Sequence, residues 1–173
     1  DLVLRDLDVL KKVQENAGAA VAMTITTLDP ALQKFLEPHA VPIHRRLETL
    51  RRLKAAGIPC GIHLMPIIPF VTDDDKALES MVKTAVELKV DYFVHNVLRL
   101  RGSVVRNYYF QSLKTHRKDL FQKTMKLYGS RSYPTDDYVQ DLGSRMRVFK
   151  EKWGYRSRWR DIFPKEQLTL FRE

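Results

Sequence analysis

The chain has 173 residues, of which 44% are hydrophobic and 29% are charged, and its formal net charge is +9. This composition excludes wholesale disorder, and the length predicts one domain or a part of a larger one. A single cysteine, Cys60, excludes a disulfide framework and any multi-cysteine metal site built by this chain alone. It also fits a reducing compartment, so we expect a cytoplasmic protein. No apolar run has the length of a membrane helix and no signal peptide opens the chain, so no membrane partner is expected.

The positive charge is concentrated in one region. Residues 1–98 carry 12 basic and 13 acidic residues, whereas residues 99–160 carry 16 basic and 5 acidic residues. Such an excess can hold phosphates or a nucleic-acid backbone, and it can equally be a solvated helical surface. The charge alone leaves both interpretations open.

In chain order, the first hundred residues alternate predicted helices with predicted strands. The predicted helices cover residues 2–17, 31–36, 42–57 and 73–89, and the predicted strands cover residues 20–26, 60–65 and 92–98. Asp29 followed by Pro30 is typical of a helix start, Pro66 is expected to end the second strand, and Thr72 to Asp75 resembles a capping box. Right-handed crossovers would make the three strands parallel and neighbouring. The opening helix lacks a strand before it, so we expect N-terminal partners for the sheet.

After Gly102 the pattern becomes helical. Helices are predicted over residues 104–113, 116–128 and 137–153, the last weakly interrupted at Gly143, with a loop over residues 130–135. The tail after residue 155 is aromatic and amphipathic and is expected to pack back on the domain. Its apolar residues are Trp159, Ile162, Phe163, Leu168, Leu170 and Phe171.

Ligands of parallel α/β folds bind at the carboxyl ends of the strands. Three strand exits therefore predict a site. The first, residues 24–29, carries hydroxyls that could meet a ribose or a carboxylate. The second, residues 65–70, has two prolines around an apolar pair and could flank a flat apolar group. The third, residues 96–102, carries Arg99 and Arg101, which suit an anion or a surface ion pair.

The histidines and the cysteine have weaker signals. His63 and His95 lie on adjacent predicted strands and could face a barrel interior, although a hydrogen-bonded core position is the commoner role. His39, His44 and His116 are predicted at the surface, and Cys60 is predicted as a small buried residue. No spacing of histidine and acidic residues predicts a metal site, and no catalytic residue is identified.

Several short segments, in this order, resemble the second half of a radical S-adenosylmethionine domain, and most closely the subgroup resembling spore photoproduct lyase. They are Arg5–Leu10, Thr24–Asp29, Leu36–Pro38, Arg46–Glu48, Ala56–Pro59, Pro66–Pro69 and Leu98–Leu100. The resemblance covers about residues 1–105. It implies an α/β fold, the C-terminal part of a partial TIM-like (β/α)6 barrel over residues 1–102, followed by a basic helical extension over residues 103–173.

The resemblance also implies a cofactor and a site. The family uses a [4Fe–4S] cluster to cleave S-adenosylmethionine and abstracts hydrogen from a substrate. Thr24 and Thr26 match the strand exit that faces the ribose or carboxylate of that cofactor, Arg99 matches a basic exit near cofactor or substrate, and three further residues match the exit that lines the adenine. Those three are Pro66, Ile67 and Ile68.

The sequence departs from this family in one decisive way. The three cluster cysteines are absent, so this chain alone should be inactive and its partner would be a missing N-terminal half of the same protein. Phe70 and Thr72 stand where the resemblance expects glycine and asparagine, and Arg101 stands where it expects proline.

The substrate is expected to be nucleic acid or another phosphate-bearing molecule.

Two alternatives remain. One is a non-catalytic nucleic-acid-binding module, in which aromatic residues stack on bases beside a stripe of cations. The cations of this stripe are Arg145, Arg147, Lys150, Lys152, Arg156, Arg158 and Arg160, and the aromatic residues are Trp153, Tyr155 and Trp159. The other is a different phosphate-binding barrel enzyme with Arg99 and Arg101 as anion ligands.

Overall fold

A computed structural model describes residues 2–162 of the chain. The strands of this part are β1 (Val21–Thr24), β2 (Cys60–Ile67) and β3 (Tyr92–Val97). Its α-helices are α1 (Leu7–Ala17), α2 (Pro30–Leu36), α3 (Ile43–Ala55), α4 (Asp75–Glu87), α5 (Ser103–His116), α6 (Lys118–Tyr128) and α7 (Asp136–Lys152). Short 3-10 turns cover Leu2–Asp6 and Trp159–Asp161. The predictions for Phe163, Leu168, Leu170 and Phe171 lie outside the described residues.

The sheet has the order β1-β2-β3, and both pairs of strands are parallel. Thr24 pairs with His63 in the first pair, and Gly61 pairs with Tyr92 in the second. Helices connect the strands, as parallel crossovers require. The prediction of an α/β fold with three neighbouring parallel strands and a helical remainder is therefore confirmed.

Two boundary predictions around β2 are wrong. Pro66 does not end the strand, because the pairing register with β3 shifts between Leu64 and Ile67. Such a bulge removes the need for a ladder N–H at the proline. The capping box is also displaced, since Asp74 caps α4 by accepting a hydrogen bond from the Ala77 amide at 2.9 Å.

The helix predictions hold with smaller differences. Asp29 caps α2 as predicted, and its Oδ1 accepts hydrogen bonds from the amides of Ala31 and Leu32. The first predicted helix begins with a 3-10 turn and becomes α-helical at Leu7. Gly143 does not interrupt α7, which continues through it to Lys152.

The main core lies on one face of the sheet, between the strands and the helices α3, α4 and α7. Ile62 and Leu64 of β2 are buried there together with Leu50 of α3, Leu78 of α4 and Met146 of α7. Burying a side chain of this size contributes about 1.5–3 kcal/mol. No helix within residues 2–162 is long and apolar enough to cross a membrane.

The opposite face of the sheet is the open face, which we define by Thr24, His63, Val94 and Asn96. Thr24 and Asn96 are exposed, and 42% of Val94 is exposed. At its amino end this face is closed by Tyr92, whose ring covers Gly61 so tightly that a Cβ there would lie 2.5 Å from a ring atom. The carboxyl end of the open face remains accessible.

Helices α5 and α6 pack on each other around a second cluster of buried residues. Its members are Leu100, Phe110, Leu113, Leu120 and Tyr128. Helix α7 instead shares the main core, because Leu142 and Met146 are buried against the sheet layer. The division of the chain after residue 102 stays a prediction.

A segment that we name the strap, residues 153–162, runs from α7 past the amino end of β3 to Gln14 in the last turn of α1. Its anchor is the buried Asp91, whose Oδ1 accepts from Arg158 at 2.8 Å and whose backbone oxygen accepts from the Arg158 amide. Trp159 packs edge-on to Tyr92 with ring centroids 4.7 Å apart, and Ile162 is buried. For this described part, the predicted packing of the tail against the domain is confirmed.

Candidate ligand-binding site

The exits of β1 and β2 form one cavity of about 530 Å³. Thr24, Thr26, Met65 and Pro66 line it from the strand exits. Glu37, Val41, Arg46 and Thr49 close it from the α2–α3 side. Three of the predicted site residues, Thr24, Thr26 and Pro66, thus line one cavity, and their role toward a ligand stays a prediction. The sequence analysis did not single out Glu37 and Arg46, a charged pair in the same lining.

The charged pair is part of a hydrogen-bonded network. The Thr26 hydroxyl donates to Glu37 Oε1 at 2.6 Å, and Arg46 Nη2 donates to Glu37 Oε2 at 2.6 Å. Burial opposes ionisation of Glu37, but these hydrogen bonds and the adjacent positive charge outweigh it and lower the pKa of that carboxyl. Thr26 is thus engaged by the protein, whereas the Thr24 side chain is exposed into the cavity.

The other predicted site residues are not gathered at this cavity. Ile67 is fully buried in the main core, so only its backbone can contribute to a ligand site. Ile68 lines a neighbouring groove. The Arg99 guanidinium lies 4.9 Å from the centre of the Tyr133 ring, outside both cavities. Their roles toward a ligand stay predictions.

The neighbouring groove, of about 630 Å³, lies between α2 and α5 above the exits of β2 and β3. Leu36, Ile68 and Leu98 supply apolar surface, and Tyr108 and Tyr109 form an aromatic wall. Phe35 and His116 meet edge-on across it, with ring centroids 5.8 Å apart. The groove offers a mainly apolar surface beside the polar network.

The loop between β2 and α4 is held by side chains on both of its ends. The Ile68 amide donates to Thr72 Oγ1 at 2.8 Å, and the Tyr138 hydroxyl donates to Asp73 Oδ2 at 2.6 Å. Phe70 between them has a φ of 64°, in the left-handed region that favours glycine. This is the position at which the family resemblance expects glycine, and Phe70 adopts a glycine-like backbone conformation there.

The two strand histidines face opposite sides of the sheet. His63 lies on the open face, as a barrel-facing residue would. His95 pairs in register with Leu64, lies on the helix-covered face and stacks on Phe93. Burial, and then the charge of Lys150, lower the pKa of His95 to about 4. The expectation that both histidines could face one barrel interior is therefore wrong, because His95 packs on the side of the sheet that the helices cover.

The described residues give no metal site. Within residues 2–162, no group of three or more histidine, cysteine or acidic side chains is placed to hold a metal ion. Cys60 lies at the amino end of β2, is buried, and its thiol contacts the Leu50 carbonyl at 3.7 Å. Burial first, and the charge of Asp91 next, raise the pKa of this thiol to about 12. Cys60 is thus the small buried residue that was predicted.

Comparisons with known proteins give distant relatives. No family model matches the chain. An uncharacterized protein of Acidianus two-tailed virus is 34% identical over 104 residues, which are 58% of this chain and 34% of that protein. An uncharacterized protein of Mycobacterium tuberculosis is 23% identical over 169 residues, which are 98% of this chain and 49% of that protein. The chain spans between a third and a half of the length of these curated relatives.

One solved structure is similar in shape. It is a domain of a pyruvate-formate lyase-activating enzyme from Bacteroides vulgatus, with a TM-score of 0.49 and 16% sequence identity. The alignment covers 82% of this chain and 69% of that chain. A likeness of this size supports no inference about activity or cofactor.

Proposed function

We propose that this chain forms the C-terminal half of a radical S-adenosylmethionine barrel, of the subgroup resembling spore photoproduct lyase, and that its sheet edge binds part of S-adenosylmethionine. One observation supports this best. Thr24 and Thr26 of the first exit and Pro66 of the second, which the resemblance assigns to the cofactor, line a single cavity at the carboxyl edge of parallel strands. That edge is where α/β folds bind their ligands.

The residues at this cavity fit an adenosyl ligand in part. The exposed Thr24 side chain offers a hydroxyl for a hydrogen bond, and Met65 and Pro66 offer apolar surface for a flat ring. When bound, S-adenosylmethionine would supply the adenosyl group for hydrogen abstraction. The part of this chain would be to bind and orient that ligand.

A [4Fe–4S] cluster does not fit this chain. Its only cysteine is buried at the opposite end of the sheet from the cavity, and a cluster needs several thiolates. We therefore derive no reaction step through a cluster. We propose instead that the cluster ligands belong to a preceding half of the same protein.

The coding sequence that precedes Asp1 tests this division. We expect about 100–150 further residues, the scale of a domain half, with three closely spaced cysteines after a predicted strand. Sequencing the surrounding gene provides the measurement. A start codon directly before Asp1, or an upstream region without such cysteines, would contradict the proposed partner half.

The binding of S-adenosylmethionine tests the cavity itself. Replacing Thr24 with valine keeps the shape of the side chain and removes one hydrogen bond, so we expect the dissociation constant to rise about five- to tenfold. Titration calorimetry of the full chain measures this. Thr115→Val is a matched control, because the Thr115 hydroxyl is exposed on α5 and bonds only to Gln111 of its own helix among the described residues. An equal change in both variants, or no binding to the unmodified chain, would contradict the proposal.

The nature of the substrate rests on charge alone. Residues 99–160 carry most of the positive excess, which is why we propose a phosphate-bearing substrate. A nucleic-acid-binding module is not favoured as the function, because four of the seven cations of its stripe already contact acidic or aromatic side chains of this chain. Arg145 pairs with Asp75, Lys152 with Glu79 and Arg158 with Asp91, while Lys150 lies over the Phe93 ring.

A further inference from the structure

We infer that Arg46 and Glu37 are positioning residues that fix the exit of β1 in the conformation that binds the ligand. This inference deepens the proposed function and rests on it. Neither residue needs to contact the ligand for this role. The argument starts from the hydrogen bonds that Arg46 makes.

Arg46 reaches from α3 to three different parts of the chain. Its Nη1 donates to the Thr24 carbonyl at 2.6 Å, its Nε donates to the Val41 carbonyl at 2.8 Å, and its Nη2 donates to Glu37. Only 11% of its side chain is exposed. A guanidinium with this many fixed partners acts as a rigid connector.

The contact with Thr24 lies on the edge of β1 that faces away from β2, where no strand within residues 2–162 pairs with it. The amides of Val21 and Ile25 donate to Pro59 and His63 on the β2 side. Because backbone groups of alternate residues point to opposite sides of a strand, the Thr24 carbonyl points away from β2. At the carboxyl end of β1, Arg46 therefore bonds the edge of the strand that faces away from β2.

Glu37 completes the connection from the other direction. It follows α2 directly, and its two oxygens accept from Thr26 and Arg46. The exit of β1 is thus tied to α3 through the Thr24 carbonyl and to the end of α2 through the Thr26 hydroxyl. The Thr24 side chain, on the residue whose carbonyl Arg46 holds, lines the cavity.

A second ion pair of α3, between Arg51 and Glu48, lacks the features on which this role depends. Arg51 and Glu48 lie 3.5 Å apart, and 58% of each side chain is exposed. Exposed pairs of this kind contribute little to structure. Arg51→Lys and Glu48→Gln are therefore matched controls for Arg46→Lys and Glu37→Gln.

Two measurements on the full chain test the inference. The first is amide hydrogen exchange without ligand, for which we expect Arg46→Lys and Glu37→Gln to accelerate exchange at Ile25 about tenfold and at Ile62 less than twofold. The second is titration with S-adenosylmethionine, for which we expect a dissociation constant about tenfold higher. The control variants should change neither quantity by more than about twofold.

Thr26→Val provides a milder variant, since it removes only the hydroxyl bond to Glu37 and keeps the ion pair. It should shift both measurements in the same direction by a smaller factor. Unchanged exchange at Ile25 in all three variants would overturn the inference, as would faster exchange with unchanged affinity. If the unmodified chain binds no S-adenosylmethionine, the proposed function fails and the positioning role fails with it, whereas failure of the variants alone overturns only the inference.

Discussion

Asp91→Asn is expected to lower the free energy of unfolding by about 3 kcal/mol. Asp91 is buried, and its carboxylate accepts hydrogen bonds from Lys54 Nζ at 2.8 and 2.9 Å and from the Cys60 amide at 2.9 Å. It also pairs with Arg158 of the strap. The neutral amide would leave the half-buried Lys54 without its counter-charge, and since Arg158 is half exposed it adds less to the loss.

Urea unfolding of Asp91→Asn beside Asp119→Asn measures this effect. Asp119 pairs with Arg117 at 2.8 Å in an exposed position, so its replacement should lower the free energy of unfolding far less than the replacement of Asp91 does. The difference between the two variants isolates the contribution of burial. Equal losses of unfolding free energy in both variants would show that Asp91 behaves as a surface carboxylate. That result would contradict its burial in the structure.

Acidification from pH 7.5 to pH 5 is expected to lower the free energy of unfolding by about 2 kcal/mol through His95. The pKa of this histidine falls from its ordinary value of 6.5 to about 4, mainly by burial and further by Lys150. The folded protein therefore holds a neutral imidazole where the unfolded chain binds a proton. The stabilisation is complete above pH 6.5 and is lost as the pH falls toward 4.

His95→Gln should remove most of this pH dependence, because glutamine is neutral throughout the range. Unfolding in urea at several pH values provides the comparison, with His39→Gln at an exposed position as the control. Glu37 does not interfere, since its pKa is lowered from 4.5 and its contribution is lost only below that value. A His95→Gln protein with the same pH profile as the unmodified chain would contradict this assignment.

The sequence was sufficient for features that depend on neighbouring residues. The strands, the cap at Asp29 and the buried Cys60 follow from local patterns of apolar residues, prolines and glycines. The error at Thr72 has a local cause, because Asp74 lies two residues on and caps equally well. Pro66 was wrongly predicted to end β2, because the bulge depends on the pairing with β3 and the sequence of β2 alone does not show that pairing.

The candidate site was only half predictable for the same reason. Thr24, Thr26 and Pro66 could be placed because they lie at or just after the carboxyl ends of strands, and these ends meet at one edge of a parallel sheet. Arg46 and Glu37 come from helix positions, and their contacts with Thr24 and Thr26 depend on how α2 and α3 pack. The one available signal was their presence within the resembling segments, which carried no role for either residue. The side of the sheet on which His95 lies could not be predicted either, because it depends on which face of β3 the helices cover.

The strap also bears on how long the folded state persists. The Gln14 side chain donates to the Ile162 carbonyl at 3.0 Å, and these residues are separated by 148 positions along the chain. Closing so long a loop costs chain entropy that is recovered only once the sheet and α7 are in place. Contacts made this late are largely absent from the folding transition state, so weakening them speeds unfolding and leaves refolding nearly unchanged. We therefore expect weakening of the strap to shorten the lifetime of the native state more than it slows folding.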